Sequence, residues 1–191
     1  NIPLLYHTDL TLTNERLSVK SSSMWKDQML NPNRYSAIKC LMHNHSIGNT
    51  YIFNKELVDI ARKRPKDLIM HDVFYLLIAS LFGKVSYGSE SHILYRQHNK
   101  NICGGSKLLT YSSLRKKLNV KLIKSSLHRK FNLAKNLINI YGDKMSSSDK
   151  AVFMEISRLN EKGWFLRRYY IIKHKAYMNG IIRNLGMFLI L

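Results

Sequence analysis

The sequence is poor in cysteine and in acidic residues, and it lacks a long uninterrupted apolar segment. Its two cysteines, Cys40 and Cys103, form no metal-ligand or disulfide pattern, so we expect buried free thiols in a reducing compartment. The apolar residues 186–191 are too few to cross a bilayer, which takes about 20 residues. The chain does contain 45% apolar and 10% aromatic residues, which is enough for a folded core and argues against global disorder.

The deficit of acidic residues leaves a formal net charge of +19, from 31 Lys and Arg against 12 Asp and Glu. Most of the excess lies in residues 106–191, which hold 18 basic and 4 acidic side chains, whereas residues 1–105 hold 13 and 8. We therefore expect the second half to bind a polyanion, and nucleic acid, an anionic membrane surface and a phosphorylated carrier all fit that description.

Residues 1–105 have the pattern of an α/β domain. The predicted strands are short apolar segments at residues 2–6, 50–53, 84–87 and 92–97. The last two are separated by a predicted turn, Gly88-Ser89-Glu90. The predicted helices lie at residues 55–62, with Asn54 as N-cap, and from Asp67 or His71 to Phe82. Residues 14–36 have the composition of a loop, with room for one helical turn. This order of elements favours an α/β class, with a domain that ends near residue 105.

Residues 106–191 form a predicted basic helical extension. Its three predicted helices lie at residues 125–141, 147–159 and 164–177. Aromatic and basic residues alternate in residues 164–170, as in a helix that lies in a membrane interface. The same pattern also fits the core and surface of a helical cap, so both interpretations stay open.

Asp72 is the first candidate for chemistry, because it opens the apolar run at residues 73–79. A carboxylate at the junction of a buried helix and a loop can act as a general base, which typically contributes about 10²–10⁴-fold to a rate. The alternative is purely structural, since an acidic residue in the first turn of a helix is favoured by the helix dipole.

A second candidate group is Arg96-Gln97-His98, at the end of a strand-like run. An arginine can bind a diphosphate with two parallel hydrogen bonds, and a neutral histidine can ligate a divalent cation. The alternative is an exposed turn with an incidental arginine and histidine.

The third candidate is the segment before residue 51. His43 and His45 suggest zinc, but a structural zinc site needs four ligands and no cysteine cluster supplies them. Gly48 and Asn49 form a turn ahead of a strand, where the backbone can approach a ligand closely. An ordinary tight turn is the alternative.

The order of these segments resembles the C-terminal half of bacterial family 2 glycosyltransferases, in particular the rhamnosyltransferase-like branch. The residues that carry the resemblance, over about residues 1–105, are His45 to Asn54, Met70-His71-Asp72, Phe82-Gly83-Lys84 and Ile93-Leu94-Tyr95-Arg96-Gln97-His98. The resemblance implies the acceptor-side half of a GT-A fold over residues 1–105, followed by the basic helical tail.

The resemblance also implies roles for individual residues. Asp72 would be the catalytic base of an inverting transfer, with His71 supporting it. The residues implied in binding the donor sugar and its diphosphate are Gly48, Asn49, Arg96, Gln97 and His98. His98 would in addition be a ligand of Mg²⁺ or Mn²⁺.

The partners implied are a nucleoside-diphosphate sugar, with rhamnose as one option, and a glycan or polyprenyl-diphosphate-linked acceptor. We expect a cytoplasmic protein at the inner face of the plasma membrane, with its tail on anionic lipid and no nucleic acid bound. The alternative function is a basic module that binds nucleic acid or a membrane surface without catalysis.

One feature of the family is missing. The 191 residues contain no Asp-x-Asp or Asp-Asp, the family's metal motif. We therefore expect that the nucleotide-binding strands lie upstream of Asn1, so that this chain is a fragment or a truncated product, or that the missing half is supplied elsewhere. We also expect that this chain alone does not transfer sugar, and that an incomplete sheet exposes an apolar edge.

Overall fold

The computed structural model describes residues 1–33, 35–66, 68, 70–98 and 119–191, and these form a mixed α/β structure, as predicted. The strands are β1 (Leu4–Thr13), β2 (Val19–Ser21), β3 (Ile52–Phe53) and β4 (Lys84–Arg96). The helices of the first part are α1 (Met24–Gln28), α2 (Ala37–Met42), α3 (Lys55–Ile60) and α4 (His71–Phe82). Those of the second part are α5 (Val120–Tyr141), α6 (Ser147–Ser157), α7 (Trp164–Lys173) and α8 (Ile181–Ile190).

The sheet is built around β1. Strand β4 runs parallel to it along its whole length, with Leu4 opposite Lys84 and Thr13 opposite Arg96. Strands β3 and β2 pair antiparallel with the beginning and the end of β1, and so share its other edge. The predicted strand at residues 2–6 is therefore too short, because the buried stretch continues to Thr13.

Strand β4 corrects a second prediction, since residues 84–97 contain one long strand where two strands and a turn were expected. The predicted turn is absorbed by a bulge, because Thr8 pairs with Gly88 while the next residue, Asp9, pairs with Ser91. A Cβ atom at position 88 would lie 2.1 Å from the Tyr6 hydroxyl oxygen. The Tyr6 side chain therefore lies across the space that a side chain at position 88 would take.

Helix α4 has the apolar sequence of a buried helix and packs against α2, α3 and the sheet. It begins at His71, one of the two predicted starts. It ends before Gly83, where a Cβ atom would lie 1.8 Å from the carbonyl oxygen of Pro3. Helix α3 has the predicted N-cap, since the Asn54 side chain accepts a hydrogen bond from the backbone amide of Leu57 at 3.2 Å.

Helices α2 and α8 were not predicted, and neither was strand β2, which lies in the segment predicted as a loop. The other helical boundaries differ by a few residues. Helix α5 begins at Val120, five residues before the prediction, and α7 ends at Lys173 where residue 177 was expected. Helix α6 is capped by Ser146, whose hydroxyl accepts a hydrogen bond from the Asp149 amide at 3.0 Å. The predicted domain boundary near residue 105 lies outside the described residues.

The hydrophobic core is continuous from the sheet to the tail helices. Phe74 of α4, Phe131 of α5, Phe153 of α6 and Met187 of α8 are all buried in one cluster. Within the described part of the chain, no helix combines the length and apolarity needed to cross a membrane.

Polar contacts also join the second part of the chain to the first. The Tyr141 hydroxyl donates to the carbonyl oxygens of Ile60, at 3.0 Å, and of Lys63. The Lys130 ammonium donates to the carbonyl oxygen of Met42 at 2.5 Å. Burial, together with the nearby charges of Arg129 and Arg183, lowers the pKa of Lys130 to about 8.

One face of the sheet is open. Leu4, Tyr6 and Ile52 are exposed on it and line a groove of about 440 Å³. The apolar edge expected from the sequence is a different feature from this face, and it stays a prediction.

Candidate functional site

Asp72 lies in the first turn of α4 and is only 3% exposed. Its Oδ2 accepts a hydrogen bond from the Asn44 side-chain amide at 3.2 Å, and its Oδ1 accepts from the Val73 backbone amide at 2.8 Å. The Tyr51 hydroxyl donates to the Asp72 carbonyl oxygen at 3.3 Å. The carboxylate is therefore held in place, and its position suits both a helix-terminal acid and a fixed base.

The turn at Gly48–Thr50 packs directly on the start of α4. A Cβ atom at position 48 would lie 3.0 Å from His71 Nε2 and 3.1 Å from Asp72 Cβ. His71 and Asn49 are both exposed next to this contact. The structure thus brings together four of the predicted site residues, Gly48, Asn49, His71 and Asp72, while their roles stay predictions.

Three polar residues support this group, namely Asn44, Ser46 and Tyr51. The sequence did not predict any of them as a site residue. Asn44 Oδ1 accepts hydrogen bonds from the Ser46 amide at 3.1 Å and from the Ser46 hydroxyl at 3.3 Å. Because the oxygen of Asn44 is used in this way, its NH₂ group must face Asp72. The Ser46 and Tyr51 hydroxyls are 2.5 Å apart.

The Tyr51 hydroxyl is expected to stay protonated. Burial raises its pKa, the Ser46 hydrogen bond opposes this in part, and the Asp72 carboxylate raises it further. A protonated Tyr51 keeps its donor for the Asp72 backbone. The alternation of Asn44, Ser46 and Gly48 was the available signal in the sequence, but the side-chain directions in a loop do not follow from spacing.

A cluster of rings surrounds His7, at the middle of β1. The ring centroids nearest to His7 are those of Trp25 at 5.6 Å, His45 at 5.7 Å, Tyr51 at 6.2 Å, Tyr87 at 6.3 Å and Tyr35 at 6.4 Å. We call these six residues the His7 cluster. Tyr51 belongs both to this cluster and to the polar group around Asp72.

His7 is neutral at pH 7. Its side chain is fully buried, and burial lowers its pKa to about 4, against a small opposing effect of the Thr8 backbone. The described residues contain no group of three or more His, Cys, Asp or Glu side chains that could hold a metal ion. His45 packs against His7 and Tyr35 and does not form a zinc site with His43 among these residues.

Trp25 also lines an open groove of about 600 Å³ between α1 and β4, together with Ser89 and Ser91. This volume lies in the range of small-molecule sites. Asp9 faces the same groove, but its carboxylate is already bonded to the amides of Leu10, Met24 and Trp25 and to the Ser23 hydroxyl. We therefore assign Asp9 a structural role at the start of α1.

The three residues Arg96, Gln97 and His98 lie at the end of β4, further along the sheet than His7. The Gln97 amide donates to the Thr13 carbonyl oxygen at 2.9 Å, its side chain is buried, and the side chains of Arg96 and His98 are exposed. His7 pairs with Tyr87, whereas Arg96 pairs with Thr13, six residues further along β1, which corresponds to about 20 Å. Arg96 thus lies near the end of β1, and the role of these three residues in binding a diphosphate stays a prediction.

The residues described do not by themselves fit the Mg²⁺ or Mn²⁺ that the resemblance implies. These ions prefer several oxygen ligands in octahedral geometry, and His98 belongs to no group of three or more potential ligands among the described residues. The divalent ion stays a prediction.

No protein-family model, curated protein or solved structure matches the chain. The glycosyltransferase resemblance therefore depends on the motifs of the sequence.

Proposed function

We propose that the chain is the acceptor-side half of an inverting glycosyltransferase in which Asp72 is the catalytic base. The observation that supports this best is the contact between the Gly48 turn and the His71-Asp72 pair at the start of α4. These two segments are more than 20 residues apart in the sequence, and the resemblance assigns one to the donor sugar and the other to the base. A transfer reaction needs these two groups to be adjacent.

In the proposed reaction, an acceptor hydroxyl attacks the anomeric carbon of a nucleoside-diphosphate sugar. A new carbon–oxygen bond forms on one face of the sugar while the bond to the diphosphate breaks on the other, and the electron pair leaves with the diphosphate. The proton of the hydroxyl moves to the Asp72 carboxylate. The Asn44 amide holds that carboxylate at Oδ2, so that little reorganisation is needed as the reaction proceeds.

We assign binding of the donor diphosphate to Arg96, Gln97 and His98. An exposed guanidinium matches two phosphate oxygens with parallel hydrogen bonds. A divalent ion would neutralise part of the diphosphate charge. The resemblance assigns His98 to that ion.

We propose the partners that the resemblance implies. They are a nucleoside-diphosphate sugar, with rhamnose as one option, and a glycan or polyprenyl-diphosphate-linked acceptor at the cytoplasmic face of the membrane. The nearest competing function is a basic module that binds nucleic acid, which the net charge of +19 would suit.

The test measures sugar transfer from a panel of nucleoside-diphosphate sugars with Mn²⁺ to a polyprenyl-diphosphate-linked acceptor. It uses this chain and any longer product of the same reading frame, and the longer product is expected to be active. Asp72→Asn is expected to lower kcat by at least about 100-fold with donor affinity unchanged, while Asp59→Asn, an exposed carboxylate on α3, leaves kcat unchanged.

Two results would contradict the proposal. One is an Asp72→Asn variant that keeps its fold and its full rate. The other is the absence of donor binding to either chain combined with salt-dependent binding to any DNA duplex, which would support the nucleic-acid module.

A further inference from the structure

Helix α7 has an unusual distribution of side chains for a helix on a protein surface. Its solvent-facing side is apolar and aromatic, with Phe165 80% exposed and Trp164, Leu166, Tyr169 and Ile172 each at least half exposed. Ile171 is the residue of this helix that is buried. A surface helix of a water-soluble domain normally turns its polar side to solvent, whereas α7 turns apolar and aromatic side chains to solvent.

Helix α8 repeats the feature in a simpler form. Ile181, Leu185 and Leu189 follow one another at intervals of four residues and so form one stripe along the helix. They are 79%, 57% and 77% exposed, while Gly186 and Met187 on the other side are buried. The buried side packs the helix against the core, and the exposed stripe does not contribute to that packing.

Arg168 joins the two helices. Its guanidinium donates to the carbonyl oxygens of Trp164, at 2.9 Å, and of Phe188. The same guanidinium lies over the Trp164 ring, 3.6 Å from its centroid. The end of α8 at Phe188 therefore lies next to the start of α7. We call the exposed apolar residues of the two helices the α7–α8 surface. Its residues are Trp164, Phe165, Leu166, Tyr169, Ile172, Ile181, Leu185 and Leu189.

Basic side chains flank this surface. Lys162 and Lys173 lie over the Tyr170 ring, at 4.8 and 5.3 Å from its centroid. Arg167 is held against the carbonyl oxygen of Lys162 at 2.7 Å. Residues 106–191 as a whole carry 18 basic and 4 acidic side chains. Exposed Trp, Phe and Leu together with Lys and Arg are the composition of helices that lie in the interface of an anionic bilayer.

Two other occupants fit this surface less well. A second copy of the chain would bring another net charge of +19 to the same place, which opposes close approach. Nucleic acid would satisfy the basic residues but would leave Ile181, Leu185 and Leu189 in water.

We propose that the α7–α8 surface docks on an anionic lipid bilayer. Phe165 and Leu189 enter the boundary between headgroups and acyl chains, and the excess positive charge of residues 106–191, Lys162 included, attracts the anionic headgroups. The proposal does not depend on sugar transfer, because neither helix contributes a residue to the Asp72 group.

The test is sedimentation of the 191-residue chain with vesicles of phosphatidylcholine alone or with about one third phosphatidylglycerol, at low and high salt. Binding is expected with the anionic vesicles and is expected to weaken as salt is raised. The chain contains two tryptophans, and Trp25 is buried, so brominated acyl chains should quench Trp164 alone.

The variant Phe165→Ser/Leu189→Ser tests the surface itself. Its partition into anionic vesicles should fall by at least about tenfold, since two large apolar side chains no longer leave water. Leu94→Ser, which changes a 60% exposed residue of β4, is the matched control and should bind like the wild type.

Three results of the vesicle experiment would overturn the proposal. They are an absence of binding to anionic vesicles, equal binding to both lipid compositions, and unchanged binding of the double variant. A dimer of the wild type that becomes a monomer in the double variant, measured by light scattering, would assign the surface to a second copy and would also overturn it.

Discussion

The side-chain amide of Asn44 donates a hydrogen bond of 3.2 Å to the carboxylate of Asp72, 28 residues further along the chain. The orientation of Asn44 is fixed by Ser46, whose amide and hydroxyl occupy the Asn44 oxygen. Asn44 therefore positions the carboxylate that we propose as the base, and it also satisfies part of the hydrogen-bonding capacity of a buried charge.

Asn44→Ala should destabilise the fold by about 1–3 kcal/mol, because a buried carboxylate loses a donor that water cannot easily replace. The free energy of unfolding in urea measures this. Asn139→Ala, at an exposed position of α5, is the control and should be neutral or slightly stabilising, since Ala favours a helix. A change below about 0.5 kcal/mol at Asn44, within the usual range for surface substitutions, would show that its hydrogen bond contributes little.

His7 should make the fold sensitive to acid. Its pKa is about 4 in the folded protein against 6.5 in the unfolded chain, so the unfolded state binds an additional proton between these values. The contribution of His7 to stability is complete above pH 6.5 and is lost as the pH falls towards 4. Over that interval the free energy of unfolding should drop by about 3 kcal/mol from this residue.

The measurement for His7 is urea unfolding at several pH values between 7 and 4. His7→Phe should have a flatter profile than the wild type, because a phenyl ring cannot be protonated. His92→Gln, which changes an exposed histidine of β4, should have a profile parallel to that of the wild type. Parallel profiles for His7→Phe and the wild type would contradict the lowered pKa.

The sequence predicted secondary structure best where the start, the apolar run and the end of an element all lie within one segment. Helix α4 was predicted with its end and one of its two possible starts, because an apolar run lies between an acidic N-terminal residue and Gly83. Strand β4 was predicted as two strands, since Gly88-Ser89-Glu90 has the composition of a turn. Pairing with β1 overrode that local preference and turned the segment into a bulge.

Only the part of the site that lies in local motifs was predicted. Gly48, His71 and Asp72 were named from motifs, and the structure places them in contact. The His7 cluster was missed because its six rings come from well-separated segments of the chain, and only the fold brings these together. No periodicity in the sequence reports such a cluster.

Tyr141→Phe should weaken the attachment of α5 to the first part of the chain. The hydroxyl donates to the carbonyl oxygens of Ile60, the last residue of α3, and of Lys63 in the loop that follows. Burial raises its pKa to about 12, so it stays a donor over the usual pH range. The loss should be about 1–2 kcal/mol in the free energy of unfolding.

Tyr169→Phe provides the control for Tyr141, because its ring is 56% exposed on α7 and should change stability by less than about 0.5 kcal/mol. Hydrogen exchange adds a local measure. In Tyr141→Phe, the amides at the end of α3 should exchange faster, while those of α4 should not. Equal stability of the Tyr141→Phe variant and the wild type would show that water replaces both bonds.

Gly48→Ala tests the contact on which the proposed site depends. The added Cβ would lie 3.0 Å from His71 Nε2 and 3.1 Å from Asp72 Cβ, so His71 and Asp72 must move by a few tenths of an ångström. Overpacking of this kind typically costs about 1–3 kcal/mol. Gly163→Ala is the matched control, since a Cβ at position 163 meets nothing within 4 Å. It should cost less than about 1 kcal/mol even though residue 163 is the N-cap of α7.

If Gly48→Ala costs no more than Gly163→Ala and leaves sugar transfer unchanged, the turn does not constrain Asp72. A loss of kcat larger than the loss of stability would instead indicate that the position of Asp72, and not only the packing of the turn, depends on the absence of a side chain at residue 48.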